Sequence, residues 1–223
     1  MSRIWPVLGL CLGVVTSAGA QTSAPMNLGP APASKAIARQ APGKPAVDPA
    51  TAVQRANAYF NSHATIVADF VQLGADGRRT EGKLHVQRPG RMRFEYDRPA
   101  TLEIIADGTS VAIRDRKLAT QDVYFIGQTP LKFLLKERID LARDTKILDV
   151  KSDDKSVSIL IEDKATFGGT SRIRLVFDAN DYTLRQWTVT DPQGYETLVS
   201  LSNINLAQKP DASLFRINYE RFD

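Results

Sequence analysis

The sequence predicts a mainly β chain, folded as an antiparallel meander of about ten or eleven strands. Three observations predict it. Beyond residue 62 the apolar residues recur at every second position, the period of a strand with one buried face. Turn dipeptides punctuate that stretch at Asp76-Gly77, Pro89-Gly90, Asp107-Gly108 and Asn180-Asp181. No helical segments alternate with the strands, so nearly all connections are too short for the crossovers that a parallel sheet requires.

Taken in order, the chain opens with Arg3, an apolar run from Ile4 to Val15 and the small-x-small site Ala18-Gly19-Ala20. This is the pattern of a secretory leader cut before Gln21. A membrane anchor needs about 20 apolar residues, whereas this run is shorter and broken by Pro6, Gly9 and Gly13. Residues 1–20 are therefore expected to be a cleaved signal peptide. Cys11, the only cysteine, falls inside that leader, too early for a lipid-attachment site. The mature chain should then be thiol-free and depend on a packed core rather than on disulfides. Residues 21–47 form an Ala/Pro-rich segment, with six of the twelve prolines between residues 21 and 50. It buries too little apolar surface to order itself and is expected to be a disordered linker to a single folded domain, 48–223. The net charge of +4 describes an ordinary solvated surface. With no basic run interleaved with aromatics, it argues against nucleic acid.

Asp48 followed by Pro49 is a cap and first-turn pair, and Val53, Ala56 and Phe60 follow at spacings of three and four. The spacing predicts a helix over 49–62. Strands follow. Leu84, Val86 and Arg88 share one face, as do Met92, Phe94 and Tyr96, then Leu102 with Ile104, and Val111 with Ile113. Downstream the same period joins Val157, Ile159 and Ile161, then Ile173, Leu175 and Phe177, then Arg185, Trp187 and Val189, then Thr197, Val199 and Leu201. One interruption is Thr129-Pro130-Leu131-Lys132-Phe133-Leu134-Leu135-Lys136, read as a short helix capped by Thr129 and started by Pro130. It is apolar nearly all round. Such a helix either plugs one end of the barrel or forms a lid over an apolar cavity.

No constellation for catalysis is present. His63 lies near the end of the first helix, and alternation places His85 opposite Leu84 and Val86, toward solvent. Two unclustered histidines without cysteine make no zinc site. Asp153 with Asp154, and Glu162 with Asp163, read as solvated turns, and Gly168-Gly169 as a simple strand connection. No catalytic residue, metal or cofactor is expected. Arg88 stands out because its face directs a permanent charge at the apolar side. It must find acceptors inside, such as carbonyls at a helix end, or else the strand ends there and the side chain reaches water before Pro89.

The segment Arg88-Pro89-Gly90-Arg91-Met92-Arg93-Phe94-Glu95-Tyr96, followed by Pro99 and by Asp107-Gly108, resembles the core motif of the periplasmic lipoprotein-carrier family, LolA type. Ala68-Asp69-Phe70-Val71-Gln72 upstream, and Thr129-Pro130-Leu131, Leu134-Leu135 and Trp187-Thr188-Val189-Thr190-Asp191-Pro192-Gln193-Gly194 downstream, fall in that family's order, so the resemblance spans about residues 50–218. It implies an incomplete antiparallel β-barrel of about 11 strands with a helical lid over an apolar cavity. Cavity candidates are Leu84, Val86, Met92, Phe94, Tyr96, Leu102, Ile104, Val111 and Ile113. Lid candidates are Val53, Ala56 and Phe60 on the first helix, with Pro130, Leu131, Phe133, Leu134 and Leu135 on the second. Arg88 would be the lid latch. Phe94 stands where the family often has tryptophan, and Ala112 where it has an aromatic. The implied function is a monomeric periplasmic carrier of acylated lipoproteins, loaded by an ATP-driven inner-membrane transporter and unloaded at an outer-membrane receptor or the membrane surface. Two alternatives stay open: a carrier of another lipid or glycolipid, and a sensor domain that binds a partner protein.

Overall fold

The structure, a computed structural model, describes residues 47–130, 132–166 and 168–219. The predicted leader, the linker up to residue 46 and the lid candidate Leu131 lie outside the described residues.

Eleven strands form one antiparallel sheet: β1 Thr65–Leu73, β2 Arg79–Gln87, β3 Arg91–Tyr96, β4 Leu102–Asp107, β5 Ser110–Asp115, β6 Thr120–Phe125, β7 Lys146–Ser152, β8 Ser156–Thr166, β9 Gly169–Asp178, β10 Leu184–Thr190 and β11 Glu196–Asn205. Their order is β6-β5-β4-β3-β2-β1-β11-β10-β9-β8-β7. The two edge strands are consecutive in sequence, and β6 does not pair with β7, so the barrel is not closed. Residues 126–145 carry the chain from one edge to the other. They include a 3-10 turn, Ile126–Gln128, and two four-residue helices, α2 Lys132–Leu135 and α3 Leu141–Asp144. Helix α1 spans Pro49–Ser62, as the spacing predicts, with the Asp48 carboxylate accepting the Thr51 N–H at 3.0 Å.

Alternation sends one set of side chains to the helix-covered inner face: Phe70, Leu84, Val86, Met92, Phe94, Ile159, Ile161, Ile173, Leu175, Phe177 and Trp187 are all buried. Burying each such side chain stabilises by about 1.5–3 kcal/mol, which lets a domain without disulfides hold together. Gly82 stands between Phe70 and Tyr96 in register, and those rings meet edge to face at 5.1 Å. A Cβ there would lie 1.9 Å from the Glu95 carbonyl oxygen.

Several sequence expectations differ from the fold. Edge strands β6 and β7 carried no clear alternation because edges are largely exposed; Phe125 is 64% and Leu148 36% exposed. Arg185 and Trp187 do not share a face, since a register shift between Leu184 and Gln186 turns Arg185 outward toward Asp178 and Asp181. Glu162 and Asp163 sit within β8, not in a turn. Asp163 is directed inward, continuing the face of Ile159 and Ile161. Thr129 closes the preceding 3-10 turn instead of opening a helix at Pro130: its N–H and hydroxyl both donate back to the Ile126 carbonyl, and α2 begins at Lys132.

His85 is buried, not solvent-facing. The outer face has its own small core of Val67, His85, Ile105 and Ala112, and the C-terminal residues cross it. A 3-10 turn, Ala212–Phe215, packs on β3 and β4 and buries Phe215. Arg93 Nη1 donates to the Leu214 carbonyl at 3.3 Å, Gln121 to the Asn218 carbonyl at 2.9 Å and Tyr219 to Asp107 at 2.7 Å. Strand alternation marks one face as apolar but is blind to a distant segment that covers the other.

Candidate functional site

The inner face and its helices form the candidate site. Ala52 and Ala56 on α1 are wholly buried, small enough to bring the helix close to the sheet. Tyr59 and Phe60 meet Phe177 edge to face at 6.1 and 5.7 Å. On α2, Phe133, Leu134 and Leu135 are buried, with the Phe133 ring 6.2 Å from Trp187. Trp187 also meets Phe94 at 6.4 Å, and Phe94 meets Phe70 at 5.0 Å. One aromatic chain thus runs from the helical cover to the middle of the sheet.

The cover is held by few polar links. Strand β2 ends at Gln87, yet the Arg88 side chain still turns inward, and its Nη2 donates to the carbonyls of Phe60 and His63 at the C-terminal end of α1. Carbonyls left over at a helix end suit a cation, through their lone pairs and the helix dipole. Among the described residues no carboxylate pairs with Arg88, and burial pulls its pKa below the ordinary arginine value, with Tyr59 opposing. Two residues on, the Gly90 N–H donates to the Leu135 carbonyl of α2 at 2.8 Å. Gly90 has φ +76°, and a Cβ there would sit 2.6 Å from Gly108 Cα. One turn therefore holds both helices. Helix α1 is also stitched to the segment that follows α2: Asn57 and Asn61, one helical turn apart on α1, accept the N–H groups of Leu141, at the start of α3, and Ile139 at 3.0 and 2.9 Å. Asn61 also donates to the Ile139 carbonyl at 2.8 Å. At the far end of α2, Lys132 Nζ lies 2.8 Å from Asp163 of β8.

The predicted residues fall into two groups. Leu84, Val86, Met92, Phe94, Tyr96 and Val111 are buried on the inner face with Val53, Ala56, Phe60, Phe133, Leu134 and Leu135 against them. Leu102, Ile104 and Ile113 on β4 and β5 are only half-buried, as is Pro130 before α2, so the cover thins toward edge β6. The resemblance implies a cavity; in this arrangement the cover's own side chains lie against the sheet. Tyr96 donates to Gln72 at 2.8 Å, and burial raises its hydroxyl pKa. Sequence reading missed Phe70 and Trp187 as lining residues, although period two names both. It also missed Gly90, Asn57, Asn61 and the Lys132–Asp163 pair. The i, i+4 asparagines were a visible signal, because polar amides beside a buried helical stripe need partners.

On the outer face a recess of about 140 Å³ is lined by Arg93, Glu103, Arg114, Gln121 and Arg216, among others. It is too polar for an acyl chain. Among the described residues no group of three or more His, Cys, Asp or Glu is placed to hold a metal, and no helix is long and apolar enough to cross a membrane.

The profile of the outer membrane lipoprotein carrier protein LolA matches residues 61–218. An outer-membrane lipoprotein carrier protein of Methylobacillus flagellatus is 26% identical over 164 residues, covering 70% of this chain and 78% of the relative. One from Chromobacterium violaceum is 29% identical over 172 residues, covering 74% and 80%. Among solved structures, a LolA superfamily protein from Nitrosomonas europaea aligns with 78% of this chain and all of its own, at 10% identity and TM-score 0.43. With the family match covering most of the chain, the protein is a periplasmic member of the outer membrane lipoprotein carrier family, LolA.

Proposed function

We propose that this protein is a periplasmic chaperone that binds the acyl chains of lipoproteins on its inner face and carries them from the inner to the outer membrane. The observation that carries this reading is the construction of the cover: α1 and α2 rest on the sheet through apolar area and are tied to it by only a few polar links. Apolar contact is non-directional, so an acyl chain can replace a phenylalanine or leucine of the cover at little loss. Each buried methylene is worth about 0.8 kcal/mol, so two or three long chains hold a lipoprotein on its membrane by tens of kcal/mol. A carrier offering comparable apolar area makes transfer nearly balanced, and an energised donor tips it.

In this reading Arg88 is the latch. While it holds the end of α1, the inner face is shut; arriving chains displace the cover and part the guanidinium from the Phe60 and His63 carbonyls. Chains enter from the β4–β5 side, where Leu102, Ile104 and Ile113 are already half-exposed, and then lie along Leu84, Val86, Met92, Phe94, Tyr96 and Val111. The donor is an ATP-driven inner-membrane transporter, and the acceptor an outer-membrane receptor or the membrane itself. The test is depletion of the protein followed by membrane fractionation. Outer-membrane lipoproteins should accumulate in the inner membrane; unchanged sorting would sink the proposal.

A further inference from the structure

The polar residues buried on the inner face gather at one place. Asp163, Thr166 and Ser171 are 5%, 7% and 1% exposed, and the only other buried polar side chain among the described residues is His85, on the outer face. Asp163 and Ser171 are register partners on β8 and β9. Thr166 Oγ1 lies 2.9 Å from Ser171 Oγ and donates to the Gly169 carbonyl at 2.6 Å. Immediately along the same face stand Ile161 and Ile173, both essentially unexposed. A polar patch thus closes one end of an apolar surface. Into it reaches Lys132 of α2, its ammonium 2.9 and 2.8 Å from the two Asp163 oxygens.

The cluster divides between two bodies that, in the carrier reading, must separate. Lys132 belongs to the cover and leaves with it; Asp163 belongs to the sheet and stays. Acyl chains alone would then leave the Asp163 carboxylate beside Ile161 and Ile173 without the Lys132 ammonium, a loss that low-dielectric surroundings make costly. A ligand that brings a cation next to its chains removes the penalty. An ammonium has three donors, which the carboxylate and the two neighbouring hydroxyls can accept.

We infer that Asp163, Thr166 and Ser171 form a subsite for a primary ammonium group borne by the acylated ligand, held by the Lys132 ammonium while the cover is down. The inference rests on the carrier reading. The same chemistry is offered by the free α-amino group of a lipopeptide and by an ethanolamine headgroup, and the two are separable by experiment.

The test is binding of two probe pairs to the purified protein: a diacylated lipopeptide with a free α-amino group against its N-acetylated form, and a short-chain phosphatidylethanolamine against its N-acetylated form. The free-amine member of at least one pair is expected to bind about tenfold more tightly, the scale of one charge-assisted hydrogen bond. The pair that discriminates identifies the source. Asp163→Asn should erase the preference, and Lys132→Met should enlarge it by removing the internal competitor. If the ion pair is only structural, both variants weaken all four probes alike, and the subsite is overturned. Equal binding within both pairs, or a preference that survives Asp163→Asn, also overturns it while leaving the carrier reading standing. Failure of every probe to bind removes both.

Discussion

The sheet has two covers, built on different physics. On the inner face α1 and α2 lay down apolar area, pinned by the donors of Arg88 and Gly90 on carbonyls at the helix ends and by one ion pair, Lys132–Asp163. On the outer face the C-terminal residues are held through charged and polar side chains: Arg93 bridges Glu103 at 2.6 Å and also bonds the Leu214 carbonyl, and Tyr219 bonds Asp107. An acyl chain can stand in for the first kind of contact and not for the second. In the carrier reading the inner cover is therefore the one exchanged for a ligand while the sheet stays folded, and the outer cover counts as part of the fold.

Four changes test that division. Gly90→Ala should have the largest effect, because it forces a left-handed φ on a residue with a side chain and drives a methyl into Gly108. We expect a loss of about 3 kcal/mol in chemical denaturation; a neutral result would mean that the two turns do not meet closely. Glu103→Gln comes next. Its carboxylate is 13% and Arg93 20% exposed, between the surface and buried limits, so about 2 kcal/mol should be lost. The loss should appear as cooperative unfolding of the whole domain, with no early release of α1.

Arg88→Leu should show the opposite pattern. Deleting the guanidinium frees two carbonyls but also removes a desolvated charge, so global stability should fall by about 1 kcal/mol or less. Amide exchange within α1 should nonetheless speed up about tenfold, since local opening no longer breaks the Arg88 bonds to Phe60 and His63. Loss of the fold would make Arg88 a structural residue like Glu103. The smallest effect concerns pH. Burial holds the His85 imidazole pKa below its ordinary value, with Glu95 at 3.6 Å opposing. The unfolded chain thus takes up that proton first as pH falls. Stability from this site is present above the unfolded value of about 6.5 and declines as pH drops toward the folded one. Comparing His85→Gln with the parent in denaturation between pH 7 and 5 should show the variant's stability changing less.

Legibility followed the same division. Period two named the middle of the inner face because the residues there answer to one rule, burial against a continuous core: Leu84, Val86, Met92 and Phe94 are read directly from alternation. The helix at 49–62 was legible from its cap, its proline and its stripe. What escaped depends on partners far away in sequence. Ile105 and Ala112 look solvent-facing until residues 216–218 are placed beside them, and Asp163 looks like a turn residue until Lys132 reaches it. Arg88 was half legible, since alternation set its direction but only the fold supplied the helix end that receives it. The bulge at Leu184–Gln186 shows the limit of periodicity, because one register shift separates Arg185 from Trp187.

Trp187 offers the most direct measurement. Trp5 lies in the predicted leader, so in protein beginning at Gln21 the single tryptophan is the one against which Phe133 of the cover packs. A diacylated lipopeptide brominated along its chains, titrated against its unbrominated counterpart, reports contact between acyl carbons and that indole. If the inner face takes acyl chains, Trp187 fluorescence is quenched by the brominated ligand alone, and Arg88→Leu alters the rate at which quenching develops. Tight binding of both ligands with no bromine-dependent quenching would place the chains elsewhere and contradict the account.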